Sequence, residues 1–388
     1  MVQFFVFPIL KLRGLFLNKE KSKMFMFVHL GSEIPLYLLR NIEWIKANFV
    51  DSSIIMVFDE LKHRGRFSNL GVEEFLYVRE QDTKDLLDQL KHDLTFRKGF
   101  WQLTIDRLFA ICDAVIHFAA SQVIYIESDV ILLPNFPVAE LQKLEKLAWA
   151  RYNNTRDVPS VIFVPDADKA KIMRSELISL FQSNPNLTDM TALNILASKR
   201  QDLIQLLPTV VTGIENPKLL DSIEFSRVNS PVTQLKSQSQ GIFDGATIGM
   251  FLTGQDPRNS YGFTLYLNPD LLNPNESYID LTGTEFVISD RRLFILTRHR
   301  ELIEIFNLHV HSKNIDMFTE KIFVMIQQMI IRANLGRSYS HFNTKIFLDL
   351  LVENARNKTL IIYLARIPRF VMNRLTEYLR NPEIDRGL

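Results

Sequence analysis

The sequence predicts an α/β fold: a mainly parallel sheet with helices on both faces, followed by a C-terminal helical region. Three observations lead there. Short apolar runs alternate with stretches of helical spacing about 10–15 residues long, the pattern of a parallel sheet with crossover helices. The chain has 388 residues, 47% apolar and 23% charged, enough to build a large core and too apolar for wholesale disorder. The third is "VIYIESDVILLPNF", residues 123–136, where an apolar strand runs into two carboxylates, Glu127 and Asp129.

The elements follow in order. Residues 24–30 read as a strand. Gly31 and Ser32 make a turn, with Ser32 a suitable N-cap and Pro35 in the first helical turn. Leu38, Leu39, Ile42, Ile45 and Phe49 then recur at helical spacing. Residues 54–58 and 74–78 are the next strands, and residues 83–94 form a helix with Leu86, Leu87, Leu90 and Leu94 on one face. Trp101, Ile105, Leu108, Cys112 and Val115 mark a further helix before the acidic strand. "LAWARY" and "SVIFVP" read as strands and residues 166–181 as a helix. From about residue 210 to 241 the pattern weakens, and "RVNSPVTQLKSQSQG" reads as a loop. Strands return at "EFVIS", "LFILT" and "IEIFNLHVHSK", and beyond residue 316 the chain reads as helical. The expected organisation is an N-terminal extension (1–20), one catalytic domain (21–318) and a helical C-terminal region (319–388). The apolar first ten residues are too short and too broken by Pro8 to span a membrane, and read as an extra strand or flap.

Charge and cysteine usage narrow the classes. Basic and acidic residues number 45 and 44, so the basic excess of a nucleic-acid binder is missing. The single cysteine, Cys112, lies among apolar residues and reads as a core thiol. It excludes a disulfide framework and fits a reducing, cytoplasmic compartment. The sequons at Asn153 and Asn186 carry no further support for secretion.

On a strand, Glu127 and Asp129 would share a face, with backbones roughly 7 Å apart. Like charges repel, and burial worsens the conflict. A divalent cation resolves it, because carboxylates suit magnesium or manganese. The alternative is a solvated Glu127 and a turn-capping Asp129.

With that triplet in view, the chain resembles glycosyltransferases of the GT-A fold, distantly the glycogenin-like ones. Those enzymes carry an Asp-x-Asp triplet after an apolar strand; here it is Glu127-Ser128-Asp129, with the third position retained. "FWQLTIDRLFAI" matches the helix before the triplet, where Arg107 stands for a basic residue near the nucleotide. "LTDMTALNIL" resembles the segment beside the donor sugar, with Asp189 and Asn194 in place and Met190 where glutamine is usual; helix capping at Thr188-Asp189 is the alternative for Asp189. "NLHVHSK" supplies His309 and His311 as candidates to complete the metal site, His311 slightly ahead, with a satisfied core histidine as the alternative for one of them. The resemblance runs from about residue 24 to 316. It implies a UDP-sugar donor, Mn2+ or Mg2+ as cofactor, a glycan or lipid-linked acceptor, and retention of configuration slightly ahead of inversion.

Other residues take roles beside these. Lys313 offers a point charge to a diphosphate. His29, Gly31 and Asp59, at the ends of the first two strands, are placed to line the nucleotide. Asp244 and Asp256, in the glycine-rich block at residues 243–262, are general-base candidates; each has a turn-forming role as its alternative. Arg366, Arg369, Arg374 and Arg380 punctuate an amphipathic tail suited either to peripheral contact with a membrane's inner face or to packing on the catalytic domain. Two rival classes remain: a sugar-phosphate nucleotidyltransferase, disfavoured by the lack of a glycine-rich nucleotide loop, and a non-catalytic membrane or protein scaffold.

Overall fold

The computed structural model describes residues 23–220, 241–254, 256 and 277–338. The N-terminal extension, the polar loop before residue 241, most of the block after residue 254 and the arginine-rich tail lie outside the described residues.

The chain opens with β1 (Lys23–His29), α1 (Leu36–Asn48), β2 (Ser52–Phe58) and β3 (Glu73–Leu76). Then come α2 (Gln81–Gln89), α3 (Phe100–His117), β4 (Val123–Ile126), β5 (Val130–Leu132) and the short α4 (Val138–Leu141). β6 (Leu147–Asn153), β7 (Arg156–Val164), α5 (Ala167–Ser183), α6 (Asp189–Lys199) and β8 (Ile204–Leu207) complete the central layer. The rest comprises α7 (Pro217–Leu220), β9 (Gly241–Ile242), α8 (Thr247–Thr253), β10 (Glu285–Ser289), β11 (Arg292–Leu296), β12 (Leu302–Ile305), β13 (Asn307–His309) and α9 (Lys321–Ser338).

Seven strands form the central sheet in the order β3-β2-β1-β4-β7-β6-β8. β1 pairs in parallel with β2 and β4, β2 with β3, and β6 with β8; only β7 runs antiparallel to its neighbours. The mainly parallel α/β sheet is as the sequence predicts. Strands β1 to β3 step outward and the chain then returns to β4. Right-handed crossovers therefore place α1 and α3 on opposite faces. The reversal leaves a crevice beyond the carboxyl ends of β1 and β4, the position at which open α/β sheets bind ligands. Phe25, Phe27, Tyr125, Trp149 and Phe163 fill the core on either side of the sheet.

Several local expectations change. α1 begins at Leu36 with Pro35 as an extended N-cap (φ −72°, ψ 141°), not at Ser32. Proline disfavours helical backbone in the residue before it, so the helix cannot start earlier. α2 stops at Gln89, well short of residue 94, and Leu94 is 60% exposed, off any buried helix face. The block at residues 243–262, read as a loop, contains α8, capped by Asp244. The late strand "IEIFNLHVHSK" is two strands. β12 joins a four-stranded sheet (β10-β11-β12-β9), and β13 pairs with β5. β8 has no counterpart in the sequence reading.

Candidate functional site

The acidic triplet is a turn, not strand. β4 ends at Ile126, and the Glu127 carbonyl accepts from Val130 N–H at 2.9 Å. Strand alternation therefore does not bring the two acids together; the turn does. Asn41 on α1 fixes it, donating its amide to the carbonyls of Ser128 (3.2 Å) and Val130 (2.7 Å).

The turn launches β5 into antiparallel pairing with β13, in the register Val130 against His309. The Asp129 carbonyl accepts from Val310 N–H at 2.7 Å. This pairing brings a histidine from late in the chain onto the triplet. Ligating atoms of Glu127, Asp129 and His309 all lie within 4.8 Å of one another. His309 Nε2 is 3.2 Å from Asp129 Oδ2 and 3.8 Å from Glu127 Oε2. Its Nδ1 lies 3.1 Å from the Gly245 carbonyl. With Nδ1–H donating there, the Nε2 lone pair faces the carboxylates. Two carboxylates and one such imidazole fit Mn2+ or Mg2+, and one ring nitrogen beside two oxygens leans toward manganese.

Asp244 holds this arrangement from behind. Its carboxylate accepts from the N–H groups of Ile248 (3.0 Å), Gly249 (2.7 Å) and His309 (3.0 Å). Burial pushes its pKa up, against those three donors. The side chain is fully buried with both oxygens engaged, a geometry that suits positioning rather than proton transfer.

Cations surround the triplet. Arg107 on α3 donates to Glu127 at 2.5 Å and to Asp189, the first residue of α6, at 3.3 Å. Burial acts to raise the Glu127 pKa, and Arg107, seconded by His309, outweighs it and holds the carboxylate low. Burial raises the pKa of Asp189, with Arg107 opposing. Lys313, in left-handed backbone (φ 57°), sets its ammonium directly on Asp129 and 5.7 Å over the Tyr37 ring. Burial lowers the Lys313 pKa to about 8; Glu127 opposes the shift, while Arg97 and Arg107 add to it.

His311 is not in the converging trio. Its ring stacks on His309 with centroids 4.1 Å apart, and burial, then His309, holds its pKa well below the ordinary value. Asp256 is buried 3.5 Å from Arg97. Asn194 donates to Asp157 at 2.9 Å, inside a buried network with Arg151 and Trp149.

At the β1 end, Gly31 N–H donates to Asp59 at 2.8 Å, and His63 Nε2 lies 2.8 Å from the Gly31 carbonyl. The left-handed Gly31 (φ 122°) allows this turn. The rings of His29 and His63 lie 5.8 Å apart; burial, then His63, lowers the His29 pKa. Arg79 links Asp59 (3.3 Å) to Asp106 (2.6 Å), tying the strand ends to α3.

The sequence reading missed Asn41, Arg79, Tyr37 and Arg97. Asn41 was detectable: it sits at i+3 from Leu38 and i−4 from Ile45, a polar residue on an apolar face. The others are surface-type residues until the fold brings them inward.

No family model matches the chain, and no curated protein matches it. Solved structures offer partial likenesses. The glycosyltransferase GlyE of Streptococcus pneumoniae TIGR4 is 18% identical, over 48% of this chain and 45% of that one, with a TM-score of 0.32. This chain thus covers less than half of the GlyE chain. The PaToxG glycosyltransferase is 13% identical over 55% and 77%, with a TM-score of 0.31. The inositol-1-phosphate CTP transferase of T. maritima is 9% identical over 49% and 86%, with a TM-score of 0.32. Likenesses this partial leave the functional reading to the geometry of the site.

Proposed function

We propose that the chain is a glycosyltransferase that moves a sugar from a nucleotide-sugar donor, a UDP-sugar, to a glycan or lipid-linked acceptor with the aid of Mn2+ or Mg2+. One observation carries the reading: Glu127, Asp129 and His309 converge beyond the carboxyl end of β4, beside the crevice at β1. Glu127, Asp129 and His309 would hold the ion, which supplies positive charge to a leaving diphosphate.

The chain's own residues do the rest. His29, Gly31 and Asp59 bind the nucleoside at the β1 and β2 ends. Lys313 and Arg107 offer cations to the diphosphate. Arg107 also holds Asp189 against the donor sugar, where its carboxylate orients the ring. The acceptor hydroxyl attacks the anomeric carbon as the bond to the diphosphate breaks. Under retention, the preferred outcome, the departing phosphate takes the hydroxyl proton. Under inversion a carboxylate must take it; three N–H donors saturate Asp244, which leaves Asp256 as the candidate.

The test is a thermal-shift series with UDP, CDP and GDP, with and without Mn2+, followed by product analysis. A ligand that binds only the folded form raises the melting point. Metal-dependent stabilisation by UDP, lost in Asp129→Ala, and UDP release from a UDP-sugar support the proposal. Pyrophosphate release from UTP with a sugar phosphate would assign the chain to nucleotidyl transfer instead. No response to any nucleotide would leave a non-catalytic scaffold.

A further inference from the structure

The mouth of the crevice carries a surface that the transfer chemistry does not use. Among the described residues, half of the large apolar side chains that stand in solvent gather at this one end of the sheet. Leu36 (50% exposed) opens α1, Leu61 (64%) follows β2, Leu94 (60%) and Phe96 (38%) precede α3, and Ile315 (41%) follows His309 and Lys313. The topology puts them together. β1 and β2 are parallel, so Leu36 and Leu61 follow strand ends on the same side. α3 runs back from the carboxyl end of the sheet before β4, so the loop at residues 90–99 sits there too. The 315–318 turn packs on α1, with Phe318 stacked on Tyr37.

Isolated exposed leucines are ordinary; a group on one rim is not. The charges beside it point to what covers it. Arg64, Arg66, Lys91 and Lys98 are exposed on the same two loops, and none has a carboxylate partner among the described residues. Lys62 pairs with Glu60 at 3.6 Å. The loop backbone is held in place: Glu74 accepts from Gly65 and Phe67 N–H at 2.7 and 3.0 Å, and Arg97, Lys98 and Gly99 are successive left-handed residues. Aliphatic and aromatic tips ringed by unpaired cations suit the headgroup region of an anionic bilayer, where the tips enter the acyl boundary and the cations meet phosphates. No helix among the described residues is long and apolar enough to cross a membrane.

We propose that this rim docks the chain on an anionic membrane, with the crevice facing the lipid. The contact stands apart from the transfer reading, because vesicle binding needs neither donor nor metal.

The full chain is sedimented with phosphatidylcholine vesicles, with and without phosphatidylglycerol. Binding is expected only with the anionic lipid and is expected to weaken with salt. Leu61→Ser/Leu94→Ser/Phe96→Ser and, separately, Arg64→Ser/Arg66→Ser/Lys98→Ser should each weaken it by about tenfold or more. Five of the six positions are solvent-facing and Phe96 also stacks on Trp101 (centroids 5.9 Å), so unchanged melting points confirm folding. The proposal is overturned if the wild-type chain stays in the supernatant. It is also overturned if both variants bind as the wild type does, which would place the contact in the tail. Light scattering covers the remaining case: a dimer that the apolar variant dissolves would make the rim an interface between copies instead.

Discussion

The backbone N–H of His309 donates to the carboxylate of Asp244 at 3.0 Å, so an acid that reads as catalytic in the sequence holds the strand that carries the proposed histidine ligand. Outer partners of this kind are worth about 10–100-fold in metal affinity. Asp244→Asn should therefore weaken Mn2+ binding by about that factor while the chain stays folded. Titration calorimetry alongside circular dichroism checks both halves. Unchanged affinity would remove Asp244 from the site.

Gly249 gives the same region a steric test. A Cβ there would lie 2.1 Å from the His309 carbonyl oxygen and 2.7 Å from Asp244 Oδ2. Neither neighbour can move without breaking β13 or the α8 cap. Gly249→Ala should cost about 1–3 kcal/mol in urea unfolding, and Mn2+ affinity should fall with it.

Asp129→Asn keeps the shape of the side chain and removes its charge. Lys313 then loses its carboxylate, and the metal site its retained acid. UDP-dependent transfer should fall by about 100–1,000-fold, the size seen when one stabiliser of a transition-state charge is lost. Steady-state kinetics with a UDP-sugar measure it, and near wild-type turnover would contradict the proposed role.

Asp157 tests a buried pair. It accepts from Arg151 at 2.7 Å, Trp149 at 2.9 Å and Asn194 at 2.9 Å with no solvent exposure. Removing one partner strands the other charge. Asp157→Ala should destabilise the chain by about 3–5 kcal/mol. Denaturant unfolding reads the loss.

Asp113 sets a pH dependence away from the crevice. Burial raises its pKa to about 6, although Arg174 at 2.7 Å opposes the shift. In the unfolded chain an aspartate titrates near 4. Between about pH 4 and pH 6 the folded form therefore holds more protons, so this residue's contribution to stability falls as pH rises through that window and is level above it. Asp113→Asn should remove that downward component. Melting temperatures of both proteins from pH 4 to 8 show it as a difference that grows up to pH 6; parallel curves would disprove it.

The sheet was legible because its signals are local. Residues 23–29, 52–58 and 123–126 are apolar runs of strand length between turn formers, and the alternation of strand and helix fixes parallel pairing. The two carboxylates were legible for the same reason: they interrupt an apolar run. Their route to each other was not. Apolar residues resume at Val130, so the interruption reads equally as a strand carrying two acids or as a turn; the turn is fixed by Asn41 and by pairing with β13, both remote in sequence. The choice of His309 over His311 likewise depends on register, because two histidines two residues apart look alike until one is paired against Val130. Asp244 reads as a general base because the helix it caps was not expected there and its third donor, His309 N–H, comes from 65 residues away; the Arg107 partner of Asp189 is 82 residues away.

Asp129 and His309 stand 180 positions apart, and only the pairing of β5 with β13 joins them. During synthesis, a ribosome that has released the acidic turn must still deliver nearly half the protein before the imidazole arrives. Cation capture by the proposed trio would thus be a readout of completed folding: a chain interrupted before residue 309 carries all seven strands of the central sheet and lacks the imidazole.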